Sequence, residues 1–439
     1  MKKIRFLLLF LLLFLVSTLT SCAADFDDTV LNGDIAGKDD ILYEPSSPDS
    51  EKGDYVEGGY DVAVPSEPSG GDTGEGSESN HQGPAPGQIT ASAWNDMRNY
   101  DFWLSLFDQD SDNQGNSLNE YFIKLNEYTS SINTQKMITV SIKNNDQPIS
   151  NYQVSISNYN YSFTAKTDVF GNAYLFIPTD SEFPYTIKYG TEVYELTSYH
   201  KEPIQLSVNE SNKPSELLDL MFVIDTTGSM GDEIRYLKSE IKNVIENINI
   251  EQKNVRLGLL FYRDEGDVYV TKLSDFTTDI AYQVDFISNQ SANGGGDYPE
   301  AVDQALDEAI NKASWSNENT ESTKILIHVL DAPPHYTKTN LQLFSKSIIT
   351  AAEKGIRIIP VASSGIDKWT EFLLRTEALM TGGTYTYITN DSGIGGGHID
   401  ATVKEKVVEY LNAMLIRLIN EYHTGIIKEP VPYNQKQDK

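Results

Sequence analysis

The chain of 439 residues contains one cysteine, Cys22, so no intrachain disulfide can form and no thiol is available elsewhere for catalysis or metal binding. Basic residues are scarce. The 34 Lys and Arg are outnumbered by 64 Asp and Glu, which leaves a net charge of −30 and no visible basic patch. A field of that sign repels phosphate backbones and argues against a nucleic-acid partner. The familiar hydrolase signatures are missing as well: there is no G-x-S-x-G elbow, no H-E-x-x-H helix and no candidate catalytic cysteine. Past residue 16 no apolar run is long enough to span a bilayer, which takes about 20 residues.

What is present begins with a targeting pattern. Lys2, Lys3 and Arg5 precede an almost wholly apolar stretch at 6–16, too short for a membrane span and typical of a signal segment. It runs into Leu19-Thr20-Ser21-Cys22, which resembles the lipobox of bacterial lipoproteins. That resemblance implies cleavage before Cys22, a lipid on Cys22, and attachment to the cell envelope outside the cytoplasmic membrane. The plainer reading is an ordinary signal peptide with a chance cysteine. Residues 23–90 are rich in Gly, Pro and Ser, and residues 23–88 carry 16 Asp or Glu against 2 Lys. Such a segment buries too little apolar surface to offset its ordering entropy, so it reads as a disordered, self-repelling spacer.

Residues 91–134 read as a short helical segment, with Trp94, Trp103 and Phe107 docking on a neighbour. Within it, the stretch from Asp108 to Asp112 is weighed as a calcium loop. Counted from Asp108, the sixth and twelfth positions hold Asn113 and Asn119; counted from Asp110, Gly115 falls at the sixth but Tyr121 takes the twelfth that an EF-hand gives to glutamate, which favours a polar connector. Residues 135–210 then alternate with period two between turn signals, which predicts a small all-β sandwich. Its QPISNYQV and TDVFGNAYLF segments resemble the carboxypeptidase regulatory-like family, which bears on fold rather than function.

From 214 to 425 strand and helix alternate, the pattern of a mostly parallel sheet covered on both faces. Buried strands are expected at 217–224, 255–262, 325–330, 356–362 and 385–389, an edge strand at 268–272, and a helix from about Pro299. Ile234, Leu237, Ile241, Val244 and Ile248 step by three and four, as do Val403, Val407, Leu411, Met414 and Leu418. Residues 426–439 read as a flexible tail.

The first strand ends in Asp225-Thr226-Thr227-Gly228-Ser229-Met230, placing a carboxylate and two hydroxyls where open α/β sheets bind ligands, beyond the carboxyl ends of their strands. A glycine-rich loop, Gly294 to Glu300, and Asp331 at the end of a later strand offer further oxygens. Hard divalent cations take such donors.

The DTTGSM, GGGDYPE and LDAPPH segments together resemble a von Willebrand factor type A (vWA) domain of the hemicentin-like variety. The resemblance implies a doubly wound, Rossmann-like α/β fold and a metal-ion-dependent adhesion site. Its ligands would be Asp225, Thr227, Ser229, Asp297 and Asp331, with Mg²⁺ as the first choice and Ca²⁺ or Mn²⁺ as alternatives. Many members carry Thr where Asp297 stands, and whether Asp297 or Glu300 turns inward is left open by spacing alone. His335, His398, Glu300 and Asp264 are candidates for supporting the ligands or touching a partner. The implied function is a tethered module that engages a protein or extracellular-matrix ligand and is not an enzyme. The alternatives are an envelope assembly factor whose metal only stabilises the fold, and a metal-dependent hydrolase using His335 or His398 as base.

Overall fold

The computed structural model describes residues 84–108, 117–210, 215–251, 254–317 and 321–434. Cys22, the signal segment, most of the acidic spacer, residues 109–116 of the weighed calcium stretch and the last five residues lie outside the described residues. Among the described residues no helix is long and apolar enough to cross a membrane.

The strands are β1 Thr90–Trp94, β2 Met137–Asn144, β3 Gln147–Pro148, β4 Gln153–Ser157, β5 Ser162–Lys166, β6 Asn172–Phe176, β7 Tyr185–Tyr189, β8 Glu192–Leu196, β9 Ile204–Ser207, β10 Leu217–Asp225, β11 Asn254–Tyr262, β12 Thr271–Thr277, β13 Ser322–Leu330, β14 Ile356–Ala362, β15 Tyr385–Ile388 and β16 Glu409–Tyr410. The helices are α1 Tyr100–Ser105, α2 Asn119–Tyr128, α3 Gly231–Glu251, α4 Ile280–Ser288, α5 Val302–Asp307, α6 Lys338–Lys354, α7 Lys368–Thr381 and α8 Leu411–Thr424.

An eight-stranded sheet in the order β12-β11-β10-β13-β14-β15-β1-β16 forms the centre. Strands β11, β10, β13, β14 and β15 run parallel, so their carboxyl ends share one edge. β10 is buried from Leu218 to Asp225 because both sheet faces are covered, which explains its unbroken apolar run. The one charge within that run, Asp219, is fully buried and takes two hydrogen bonds from the Arg256 guanidinium at 2.8 and 3.1 Å. The α3 stripe from Ile234 to Ile248 is buried against the sheet. Helices α6 and α7 start on Thr337 and Asp367, whose side chains accept from backbone N–H groups three residues on, and end at Gly355 and Gly382 in the left-handed region.

The main departure from the sequence reading is at 90–94. Those residues are a strand that fills the sheet between β15 and β16, antiparallel to both, with Ala91 opposite Ile388 and Trp94 opposite Tyr385. The sheet is therefore discontinuous in sequence, and everything from α1 to β9 is inserted into it. Among the described residues of this segment, helical structure is confined to α1 and α2, where Trp103 stacks on Phe372 and Tyr121 meets Trp369 edge-on. Residues 137–207 form two four-stranded sheets. These share a core in which Phe163 of β5 stands edge-on to Phe176 of β6, ring centroids 5.7 Å apart. One apolar cluster continues from Ile138 and Leu175 of these sheets to Ile358 and Phe372 of the central unit. The buried Arg357 donates to Lys166 O at 2.7 Å and Thr381 O at 2.8 Å across the junction.

Three smaller expectations shift. α8 starts at Leu411, because Glu409 and Tyr410 pair with β1 and keep the backbone extended, so Val403 and Val407 are off the helix. β12 begins at Thr271, three residues after the expected start of the edge strand, and leaves Val268 almost wholly exposed. α5 begins at Val302, because Glu300 is held in a parallel bridge with Pro334.

Candidate metal centre

The parallel sheet brings the loops after β10 and β13 to one edge, with the glycine-rich loop between them. Asp225 closes β10 and is fully buried. Its Oδ1 accepts from the Thr227 amide at 2.8 Å and the Thr227 hydroxyl at 2.7 Å, and Thr227 Oγ1 lies 3.1 Å from Ser229 Oγ. This Asx-type turn fixes a carboxylate and two hydroxyls before α3 begins. Asp331 follows β13 and is also buried. Asp225 Oδ2 and Asp331 Oδ1 are buried without a hydrogen-bond partner.

The loops are stitched by their backbones. Gly228 N–H donates to Gly294 O at 3.0 Å, Asn293 N–H to Thr226 O at 3.0 Å, and Glu300 N–H to Pro333 O at 3.0 Å. Gly294 and Gly295 both adopt positive φ, and Gly295 N–H donates to Asp267 Oδ2 at 2.8 Å. A side chain at Gly294 would collide with that carboxylate, so glycine is required there for more than its φ. A cavity of about 440 Å³ opens above, bordered by Ser229, Asp297, Glu300, Asp331 and several glycines.

The structure separates the two candidates in the glycine-rich loop. Asp297 is exposed on the rim, whereas Glu300 is buried with Oε2 unpartnered. A carbon added at Gly295 would touch both Glu300 Oε1, at 2.8 Å, and Thr227 Cβ, at 3.3 Å, so these side chains face each other across one atom's width. The inward carboxylate is Glu300, because its backbone bridge to Pro333 and Pro334 turns its side chain under the loop.

Crowded acids in a dry pocket resist ionising. Burial, then the charge of Asp331, pushes Asp225 far above the usual carboxylate range, and burial raises Asp331 too. Glu300 is pushed up to about 9, by burial first and then by Asp225, Asp264, Asp331 and Asp267.

The remaining candidates sit around this core. His335 Nε2 lies 2.7 Å from Asp264 Oδ1, and His398 Nε2 lies 3.0 Å from Glu233 Oε1 with its Nδ1 2.9 Å from Asn390 Oδ1. Each histidine is thus held by a carboxylate rather than aimed at the Asp225 oxygens. Sequence reasoning passed over Glu233, Asp267 and the fully buried Tyr262. Tyr262 lies opposite Asp225 in the parallel register, a signal that strand alignment could have supplied.

A divalent cation fits this donor set. The oxygens are hard, and three of the buried carboxylates, Asp225, Asp331 and Glu300, each hold one oxygen without a hydrogen-bond partner. Among the described residues no group of three or more His, Cys, Asp or Glu forms a cage. Asp225 and Asp331, with the Thr227 and Ser229 hydroxyls, would hold the cation instead, with Glu300 beside them.

Parts of the chain resemble known proteins. The chain is 34% identical over 130 residues to the alpha-protein kinase vwkA of Dictyostelium discoideum, covering 29% of this chain and 20% of that protein. It is 24% identical over 226 residues to an ariadne-like RING finger protein of Acanthamoeba polyphaga mimivirus, covering 48% and 21%. With the human collagen alpha-6(VI) chain it shares 27% over 200 residues, covering 45% and 8%. The chain spans about a fifth of the length of the first two relatives and less of the third. Among solved structures, BatB of Bacteroides thetaiotaomicron overlays with a TM-score of 0.31 at 14% identity, covering 39% of this chain and 89% of that one. The von Willebrand factor type A domain family matches residues 219–393, a span that starts in β10 and takes in all three loops. Over residues 219–393 the chain carries a von Willebrand factor type A domain.

Proposed function

We propose that this is a membrane-tethered surface or envelope protein, anchored through a lipid on Cys22, that engages a protein or matrix ligand through a divalent cation at the sheet edge. The observation that carries the reading is the pair of buried, unpartnered oxygens, Asp225 Oδ2 and Asp331 Oδ1, beneath an open cavity. When bound, the cation would act as a Lewis acid with room for an outside oxygen ligand. The chain's own part is to hold the donors in place beforehand. Thr227 orients Asp225, and the backbone bonds between loops fix the cavity wall.

Those backbone bonds also favour recognition over a purely structural metal, because the three loops are joined without one. The hydrolase alternative is weakened at His398, whose two ring nitrogens are both taken, by Glu233 and Asn390. Thermal melts of the full chain in EDTA, then in Mg²⁺, Ca²⁺ or Mn²⁺, test the reading. Asp225→Ala is expected to remove the cation-dependent rise while leaving a folded protein, since it deletes a buried acid. A rise of equal size in the variant would rule out this site.

A further inference from the structure

A cavity of about 690 Å³ opens at the other edge of the central sheet, where the parallel strands begin rather than end. Its walls come from both the central unit and the inserted sheets. Glu216, Asn254 and Lys324 stand at or beside the starts of β10, β11 and β13, and His423 lies in the last turn of α8. Asn151 and Asp168 reach it from loops of the inserted sheets. We infer that this cleft binds a short peptide of small residues with free termini, its carboxylate on Arg357 and its ammonium at Glu216. The inference is independent of the cation reading, which concerns the opposite edge.

Arg357 is the reason for the carboxylate. It lines the cleft at 6% exposure, and its guanidinium spends two of five N–H groups, on Lys166 O and Thr381 O. Among the described residues it forms no ion pair. Asp168 is near enough for the two charges to interact, but its oxygens accept from the Phe170 and Asn172 amides and the Tyr174 hydroxyl. A buried cation is ordinarily answered by an anion, and a guanidinium meets a carboxylate through two parallel bonds. Lys324 lines the same wall but stands opposite Asp219 in the register, so the case rests on Arg357. Glu216, exposed on the wall, supplies the opposite sign.

The remaining wall forms hydrogen bonds rather than apolar contacts. Ser322 Oγ is buried without a partner, and His423, whose pKa burial lowers, adds bonding capacity without charge and lies 2.9 Å from Thr323 Oγ1 through Nδ1. Such side chains match peptide groups, which carry one donor and one acceptor per residue. Among the described residues that line the cleft Val169 is the only aliphatic one, which leaves no recess for a large apolar side chain.

The test is titration calorimetry and ligand-observed saturation-transfer NMR on the full chain in EDTA, which takes the cation site out of play. The probes are trialanine, N-acetyl-trialanine and trialanine amide. Trialanine is expected to bind at about 1 mM or tighter, and the amide about tenfold more weakly or worse. Acetylation should weaken binding severalfold. Glu216→Gln should bring trialanine to the level of the acetylated peptide and leave the latter unchanged. Asn254→Trp puts bulk at an exposed lining position and should abolish binding of all three. The carboxylate contact is read from the amide probe, because Arg357 also ties the inserted sheets to the central unit. No binding of trialanine, equal binding of the amide, or unchanged binding in Asn254→Trp overturns the inference.

Discussion

Removing the Asp96 carboxylate should cost the central unit far more than a surface ion-pair deletion would. Asp96 lies just past β1 and is nearly buried. It accepts from the fully buried Arg375 of α7 through two hydrogen bonds, Nε to Oδ2 at 2.9 Å and Nη2 to Oδ1 at 2.5 Å, and from Trp94 Nε1 at 2.9 Å. Truncating one partner of a buried pair leaves an uncompensated charge, which typically costs about 3–5 kcal/mol. Arg375 keeps Thr402 O and has Glu371 at 3.7 Å, so the lower end applies, about 3 kcal/mol. For a folded unit of this size that is a fall in Tm of roughly 4 °C. Lys201→Ala is the control, because its pair with Asp101 is exposed on both sides and such pairs contribute little. Urea unfolding of Asp96→Ala, Lys201→Ala and the double variant Asp96→Leu/Arg375→Met would measure this, with the double variant recovering much of the loss. An Asp96→Ala loss no larger than that of Lys201→Ala would refute the placement of residues 90–97 inside the sheet.

Stability without a cation should fall as pH rises. Asp225, Asp331 and Glu300 bind protons more tightly folded than unfolded, so their contribution is fully present below the ordinary carboxylate pKa near 4 and is lost as pH climbs toward about 9, the value for Glu300. Melts in EDTA between pH 5 and 8 should therefore show a falling Tm. The gain from added Mg²⁺ should grow over the same range, because loading the site releases protons; a flat profile in EDTA would contradict the burial of these acids. Arg357→Ala removes the donor shared by Lys166 O and Thr381 O. It should uncouple the inserted sheets from the central unit, turning one calorimetric transition into two, whereas a single transition at unchanged Tm would show that the apolar contacts suffice.

Much of the fold and part of the site are legible in the sequence because their signals are local. The run from Leu217 to Ile224 must be covered on both faces, so it announces a central strand, and Asp225, Thr227 and Ser229 form their turn through bonds two residues long. The α3 stripe needs only its own period. Other features were decided at long range. Thr90 pairs across the whole inserted region with Tyr410 of β16, and its hydroxyl reaches Thr389 O. No local pattern in 90–94 distinguishes a missing internal strand from the start of a helix, since the partner strands supply the hydrogen bonds that hold it extended. Asp297 and Glu300 are equally acidic and three residues apart, and only the bridge from Glu300 to Pro333 and Pro334 turns one inward and leaves the other on the rim. The sequence by itself therefore determined the parallel sheet and the first loop of the site. Tertiary structure decided which strand completes the sheet and which carboxylate faces the cavity, because both depend on backbone bonds between segments that are distant or unpatterned in sequence.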